Sequence, residues 1–293
     1  MSVRPYSFTS VTISVPDVAA SSLFFQFHVG LEEVSAEAGH RFLRCGLEHH
    51  SVHLSEDSDL ERAQVTSIAY SVKSRSDLQA LAARLDEAGC PVETASPERS
   101  RFAVEALRTV DPNGLSVEFV YQPFVFAEPP ISAFGPLEMV HPFIWTDRYV
   151  ESVEFYESLV GFRPSDYIEH KLVFLRCGDR FHHSLALLEA ETFGIAHLCF
   201  LMPSIEAVMR GRARAQFREV SLPVDLVKHS ASQSIAVYLH DERHGPWIEL
   251  CDSHLRFTSD EDETHEPRFM VDDPRNVMDV WRASADHDWR SLH

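Results

Sequence analysis

No apolar run in this 293-residue chain reaches the roughly 18 residues that a membrane-spanning helix needs, so the sequence argues against a helical membrane protein. The opening stretch, MSVRPYSFTS, lacks the apolar segment of a secretory signal. Cysteines are few and scattered: Cys45, Cys90, Cys177, Cys199 and Cys251 are odd in number and form no CxxC pair. That argues against a disulfide framework or a zinc knuckle, and for reduced thiols in a cytoplasmic protein. Basic residues are scarce too, 26 against 45 acidic, and the resulting net charge of −19 repels nucleic acid and anionic membranes. The densest acidic run, SDEDETHE from Ser259 to Glu266, reads as a solvated tail or loop.

What the chain does have is a 44% hydrophobic content, ample for a core, and 17 histidines, a side chain that commonly binds metals. It also repeats itself. FLRCGLEHHSVHL (Phe42 to Leu54) returns as FLRCGDRFHHSLAL (Phe174 to Leu187). Outward from there, Gly30 stands opposite Gly161 and Glu118 opposite Glu249, at an offset of about 130 residues. The chain therefore divides into residues 1–125, residues 135–255 and a tail, 256–293, with QPFVFAEPPISAFGP (Gln122 to Pro136) as an extended linker.

Each half divides again. The apolar run MVHPFIWT predicts a strand. From Asp147 to Gly161 the pattern predicts a helix capped by Asp147, with Val150, Val153 and Tyr156 on one face and Gly161 as its stop. KLVFLRC and HSLALLE predict two more strands around Gly178–Asp179. The order then restarts with AHLCFLM, a helix from Ser204 to Phe217 with Ile205 and Val208 inward, and strands at SIAVYLH and PWIELCD. In the first half Leu78, Leu81, Ala82 and Leu85 mark a helix capped by Ser76 or Asp77 and ended by Gly89. The expected fold is α+β, four strand–helix–strands modules paired into two similar halves.

On this plan His141 lies in the first strand of the third module, and His197 in the first strand of the fourth. Glu249 lies in the last strand of the fourth. Paired modules would bring these strands around one cavity. Two imidazoles and one carboxylate on one side of an ion, with other positions open, form the facial triad of non-haem Fe(II) oxygenases. Val11, Ser67 and Glu118 occupy the same positions in the first half, so two of the three ligands are missing there. A lone strand histidine is ordinarily a core or edge residue; the joint pattern is far more specific. His49, His50, His53, His170, His240 and His244 are read as surface or structural.

At these residues the chain resembles the vicinal oxygen chelate superfamily, and within it the two-domain type I extradiol ring-cleaving dioxygenases, over essentially its whole length to about residue 255. The C-terminal signature of that family is matched by KHSASQSIAVYLHDERHGPWIEL, which supplies His229, Val237, Tyr238, Asp241, Gly245 and Glu249. It departs at Glu242, where relatives have proline, and its turn is one residue longer. Ser230, Ala231 and Ser232 follow His229 where relatives often carry Asn or Asp.

The resemblance implies four βαβββ modules and cleavage of a catecholic substrate with O2 beside the diol. The ion would be Fe(II), less often Mn(II), held by His141, His197 and Glu249. It further implies an acid–base role for His183, a pocket-lining role for His229, and a substrate hydrogen bond from Tyr238. His50 is the counterpart of His183 in a half without the triad, so a shared turn feature is the competing reading of the His–His pair. The resemblance also implies a homo-oligomer. Phe193, Trp247 and Ile248 are candidates to shape the pocket, although strand alternation turns Ile248 away from the side of Glu249. Two alternatives stand beside this reading: a metal-dependent isomerase or lyase of the glyoxalase type, and a metal-free binding protein of the same superfamily.

Overall fold

A computed structural model describes residues 3–94, 102–132, 134–271 and 278–281. The first half runs β1 (Phe8–Val15), α1 (Val18–Phe24), β2 (Glu32–Glu37), β3 (His40–Arg44), β4 (Val52–Glu56), β5 (Gln64–Val72), α2 (Arg75–Glu87), β6 (Glu93–Thr94), β7 (Ala103–Val110) and β8 (Ser116–Pro123). The second half repeats it. It runs β9 (Glu138–Thr146), α3 (Tyr149–Glu154), β10 (Arg163–Ile168), β11 (Leu172–Arg176), β12 (Leu185–Glu189), β13 (Gly194–Leu201), α4 (Ile205–Phe217), β14 (Ser221–Lys228), β15 (Ile235–His240) and β16 (Trp247–Asp252).

The first sheet is ordered β2-β3-β4-β1-β5-β8-β7-β6, and the second contains the corresponding order with all eight counterparts. In both, the leading strands of the paired modules (β1 with β5, β9 with β13) run antiparallel side by side. The leading strand of each module pairs in parallel with that module's last strand. This is the expected four-module α+β fold.

Local chemistry explains the repeat. α1 and α3 each continue into a π-helical turn, Phe25–Val29 and Phe155–Val160, closed by Gly30 and Gly161 at φ +93° and +98°. Glycine occupies such backbone conformations without a Cβ penalty. At Gly161 a Cβ would stand 2.4 Å from the Val3 carbonyl oxygen, so the stop also makes room for the N-terminal strand entry. The core is continuous: Tyr70, Phe25 and Phe119 of the first half share one apolar cluster with Tyr156, Phe200 and Leu250 of the second.

Several helix details differ from expectation. Ser74, not Ser76 or Asp77, caps α2, accepting from the Asp77 N–H at 3.1 Å. Asp147 does not cap α3. Its N-cap is Arg148, with no side-chain capping bond, and Thr146 Oγ1 accepts from the Arg148 N–H at 2.9 Å. Val150 and Ile205 are exposed; Val153, Tyr156 and Val208 carry the buried faces.

The acidic run is not a solvated tail. Ser259–Thr264 forms α5, opened by a capping box between Thr258 and Glu261. Asp262 is buried against the guanidinium groups of Arg4, Arg163 and Arg176. β17 (Arg268–Met270) then adds in parallel to β10 at the sheet edge, with Arg268 opposite Asp166. Residues 272–277 and 282–293 of the expected 256–293 tail lie outside the described residues.

Candidate metal centre

Strands β15, β16, β13, β9 and β12 are consecutive neighbours in the second sheet. Cys199 is in register with both His141 and Glu249, and Tyr238 with Glu249. Because strand side chains alternate, His197, two residues before Cys199, points to the same face. Three strands adjacent in space thus bring together three residues remote in sequence. His141 Nε2 lies 3.2 Å from His197 Nε2 and 3.5 Å from Glu249 Oε2, and His197 Nε2 lies 3.2 Å from the same oxygen.

All three side chains are buried. Neighbouring donors on a first-row divalent ion, each about 2.1 Å from it, stand about 3 Å apart in an octahedral arrangement. The triangle fits one face of such an ion. Protonation agrees. Burial pushes His141 down to about 4, with Glu249 only partly offsetting it, so its imidazole is neutral at pH 7. Burial alone would raise Glu249, but hydrogen bonds from His141 and His197 hold its carboxyl well below the usual range. Three potential ligand atoms and one negative charge share a small space, an arrangement a cation can occupy once the imidazole Nε2 protons leave.

Two other clusters of three metal-binding side chains occur among the described residues, and both include Cys199. Burial holds its thiol far above the ordinary value; the His–His–Glu set alone pairs two imidazoles with a carboxylate, the donors that suit Fe(II) or Mn(II), and is the stronger one. In the first half Glu118 is buried and accepts from Ser67 Oγ at 3.3 Å, but Val11 stands where His141 would.

The remaining expected residues surround the triangle. His183, in the loop between β11 and β12, places Nε2 3.2 Å from His141 Nε2. Burial, reinforced by the neighbouring histidines, holds it well below its ordinary value, so it is a neutral base. Tyr238 Oη is 2.9 Å from His229 Nε2, and His229 Nδ1 is 2.6 Å from the Met278 carbonyl. That carbonyl must accept, so His229 carries its proton on Nδ1, Nε2 is the acceptor, and Tyr238 donates. The backbone of residue 278 does the anchoring, not the residues just after His229.

One residue escapes sequence reasoning altogether. His254 is buried, its ring centroid 4.7 Å from that of His183 and 5.4 Å from that of His141, and neither of its nitrogens meets a hydrogen-bond partner among the described residues. It lies in no repeated word and no motif. Only the chain path after β16 reveals it.

The central cavity has a volume of about 20 Å³ and is walled on its apolar side by Phe143, Phe174, Ala231 and Met278. Phe193 and Trp247 do not line it. Trp247 packs near Tyr238 and His240, and Ile248 faces the core as alternation requires. A larger cleft of about 710 Å³, lined by charges of both signs beside the N-terminal strand entry, holds none of these residues.

Residues 7–119 match the Glyoxalase/Bleomycin resistance protein/Dioxygenase superfamily. The second half repeats the topology of the first, so the whole chain has the paired-module fold of the vicinal oxygen chelate superfamily. A manganese-dependent 2,3-dihydroxybiphenyl 1,2-dioxygenase from Geobacillus genomosp. 3 is 24% identical over 275 residues, covering 85% of this chain and 86% of that one.

Among solved structures, the Mn(II)-bound glyoxalase from Novosphingobium aromaticivorans aligns at TM-score 0.84 with 26% identity, covering 95% and 91% of the two chains. Homoprotocatechuate 2,3-dioxygenase from Arthrobacter globiformis aligns at TM-score 0.84 with 20% identity, covering 98% and 91%. No described helix is long and apolar enough to cross a membrane.

Proposed function

We propose that this protein is an extradiol dioxygenase that binds a catechol at a divalent ion held by His141, His197 and Glu249. The observation that carries the reading is the buried triangle of two imidazole nitrogens and one carboxylate oxygen, with sides of 3.2 to 3.5 Å, beside a neutral histidine. The similarity to a manganese-dependent dihydroxybiphenyl dioxygenase over most of both chains supports the same reading. Fe(II) and Mn(II) both suit this donor set. The ion, when bound, supplies Lewis acidity toward the diol oxygens and open positions for O2.

The chain's own residues do the rest. His183 offers an unprotonated nitrogen toward the site, so it takes a proton from a catechol hydroxyl and later returns it. Tyr238 keeps its proton, because burial lifts its hydroxyl far above the ordinary value. Its one proton goes to His229 Nε2 in this structure, and the hydroxyl would turn from that acceptor to donate to a deprotonated substrate oxygen. Phe143 and Phe174 offer flat apolar walls to an aromatic ring and keep water away. The cavity is smaller than a catechol ring, so the substrate enters by displacing side chains such as Met278, which is flexible enough to yield.

The test is anaerobic purification, reconstitution with Fe(II) or Mn(II), and exposure to a panel of catechols in air. Stoichiometric O2 uptake with a rising near-visible absorbance supports the proposal. Metal-loaded protein that consumes no O2 with any catechol would sink it. The likeness to a glyoxalase at 26% identity favours a second reading, a metal-dependent isomerase or lyase. That chemistry consumes no O2, so the same uptake measurement separates the two.

A further inference from the structure

We infer that Asp166 and Arg268, which lie outside the metal centre, set the tautomer of His183 through His182 and so make it a base rather than a donor. The inference rests on the reading of His183 as the acid–base residue. It concerns residues that neither the duplication nor the family motif singles out.

Four side chains form a line. Arg268 donates to Asp166 from Nε at 2.7 Å and from Nη2 at 2.5 Å, and its backbone N–H adds a third contact at 3.3 Å. Asp166 Oδ2 lies 2.7 Å from His182 Nε2. His182 Nδ1 lies 3.0 Å from His183 Nδ1. His183 Nε2 faces the metal centre. Asp166, His182 and His183 are buried, so bulk water cannot substitute for a missing partner.

Hydrogen-bond logic then assigns the protons along this line from Arg268 to His183, with His141 Nε2 the donor in the 3.2 Å contact to His183 Nε2. A guanidinium has only donors, so Arg268 keeps Asp166 a pure acceptor. Burial alone would raise the Asp166 carboxyl, but the bonds from His182 and Arg268 outweigh it and hold it below the usual range. His182 must therefore donate from Nε2. Burial keeps His182 neutral, against the pull of Asp166, so its Nδ1 carries a lone pair. The bond between the two Nδ1 atoms needs one proton, and His183 supplies it. The remaining His183 nitrogen, Nε2, is left as an acceptor aimed at the site. Had Asp166 been absent, nothing would select this tautomer over its mirror, in which Nε2 holds a proton and cannot accept one.

The role of Arg268 is specific. It stands on β17, in parallel register opposite Asp166 on β10. With Asn at 166, Arg268 would claim the amide oxygen, turning the amide NH2 toward His182. His182 would then accept at Nε2 and donate from Nδ1, and His183 would take its proton on Nε2. The segment after the repeat thereby reaches the chemistry without touching substrate. Asp166, His182 and Arg268 are positioning residues.

The experiment reads the tautomer directly. Nitrogen-15 NMR of selectively labelled histidine in metal-free protein distinguishes a protonated Nδ1 from a protonated Nε2, with His183 assigned by its loss in His183→Gln. In the wild-type protein His183 is expected to be protonated at Nδ1, and in Asp166→Asn at Nε2. A wild-type His183 protonated at Nε2, or a doubly protonated His182, overturns the inference with no variant needed. If Asp166→Asn fails to fold, Arg268→Gln serves, with a mixture of the two tautomers expected; an unmixed wild-type pattern there overturns the part given to Arg268.

In turnover of a catechol by metal-loaded protein, Asp166→Asn is expected to lower kcat by about 100-fold, the lower range for loss of a general base. KM should change less than threefold and metal content should be unaltered. An unchanged kcat in folded, metal-loaded Asp166→Asn also overturns it. If no catechol is turned over by any form, the proposed function fails, while the NMR result still judges the tautomer claim on its own.

Discussion

Replacing Asp262 by alanine tests how the C-terminal segment is held. The Asp262 carboxylate receives Arg176 Nε at 3.0 Å and Arg4 Nη1 at 3.2 Å, and its backbone carbonyl accepts from Arg163 and Arg176 at 3.1 Å each. Arg4 and Arg163 reach solvent in part, but Arg176 is 2% exposed and cannot rehydrate. Alanine leaves that guanidinium buried and uncompensated, a change that typically costs about 3–5 kcal/mol. For a chain of this size each kcal/mol moves the midpoint by about 2 °C, so Tm should fall by about 6–10 °C.

Differential scanning calorimetry measures this. Hydrogen exchange should place the loss first in α5 and β17, where residues 259–270 lose protection. The double variant Asp262→Leu/Arg176→Met removes both charges and should recover most of the loss. If Asp262→Ala melts within 2 °C of wild type, the reasoning that this carboxylate anchors the segment is wrong.

Other outcomes follow from the same structure. His197→Ala should lose metal retention and activity together, read by elemental analysis and O2 uptake. His183→Ala should keep its metal but turn over at least about 100-fold more slowly; undiminished turnover removes the residue from the mechanism. Tyr238→Phe deletes the hydroxyl bonded to His229 at 2.9 Å, and should lower kcat about tenfold or more while leaving metal content intact.

The metal-free protein should also gain stability as pH rises from about 4 to the ordinary histidine value near 6.5. The unfolded chain protonates His141 in that window and the fold does not. The gain attributable to this residue is about 3 kcal/mol, read as the difference in urea unfolding between wild type and His141→Phe. A difference that does not vary with pH contradicts it.

Much of this architecture was legible because duplication leaves two copies of each packing word. Gly30 and Gly161, and the paired strands around Phe42 and Phe174, align within the sequence itself. The triad residues stood out for the converse reason: His141 and His197 break a repeat that keeps Val11 and Ser67. Helix caps were less legible, since Ser, Thr and Asp crowd each helix start and only backbone geometry shows that Ser74 caps one helix while Arg148, with no side-chain capping bond, starts the other.

The C-terminal segment was the least legible. Its acidic run carries no periodicity, and the partners that bury Asp262 come from residues 4, 163 and 176. His254 and the Asp166–Arg268 pair were hidden likewise, because their meaning depends on contacts made across the fold and not on spacing along the chain.

The most direct test of the metal centre is crystallographic. Crystals soaked in Mn(II) and measured above and below its absorption edge should show one anomalous peak per chain, bonded to His141 Nε2, His197 Nε2 and Glu249 Oε2. That peak should be absent from His197→Ala crystals treated alike. A peak elsewhere in the fold, or none at saturating Mn(II) or Fe(II), would contradict the account.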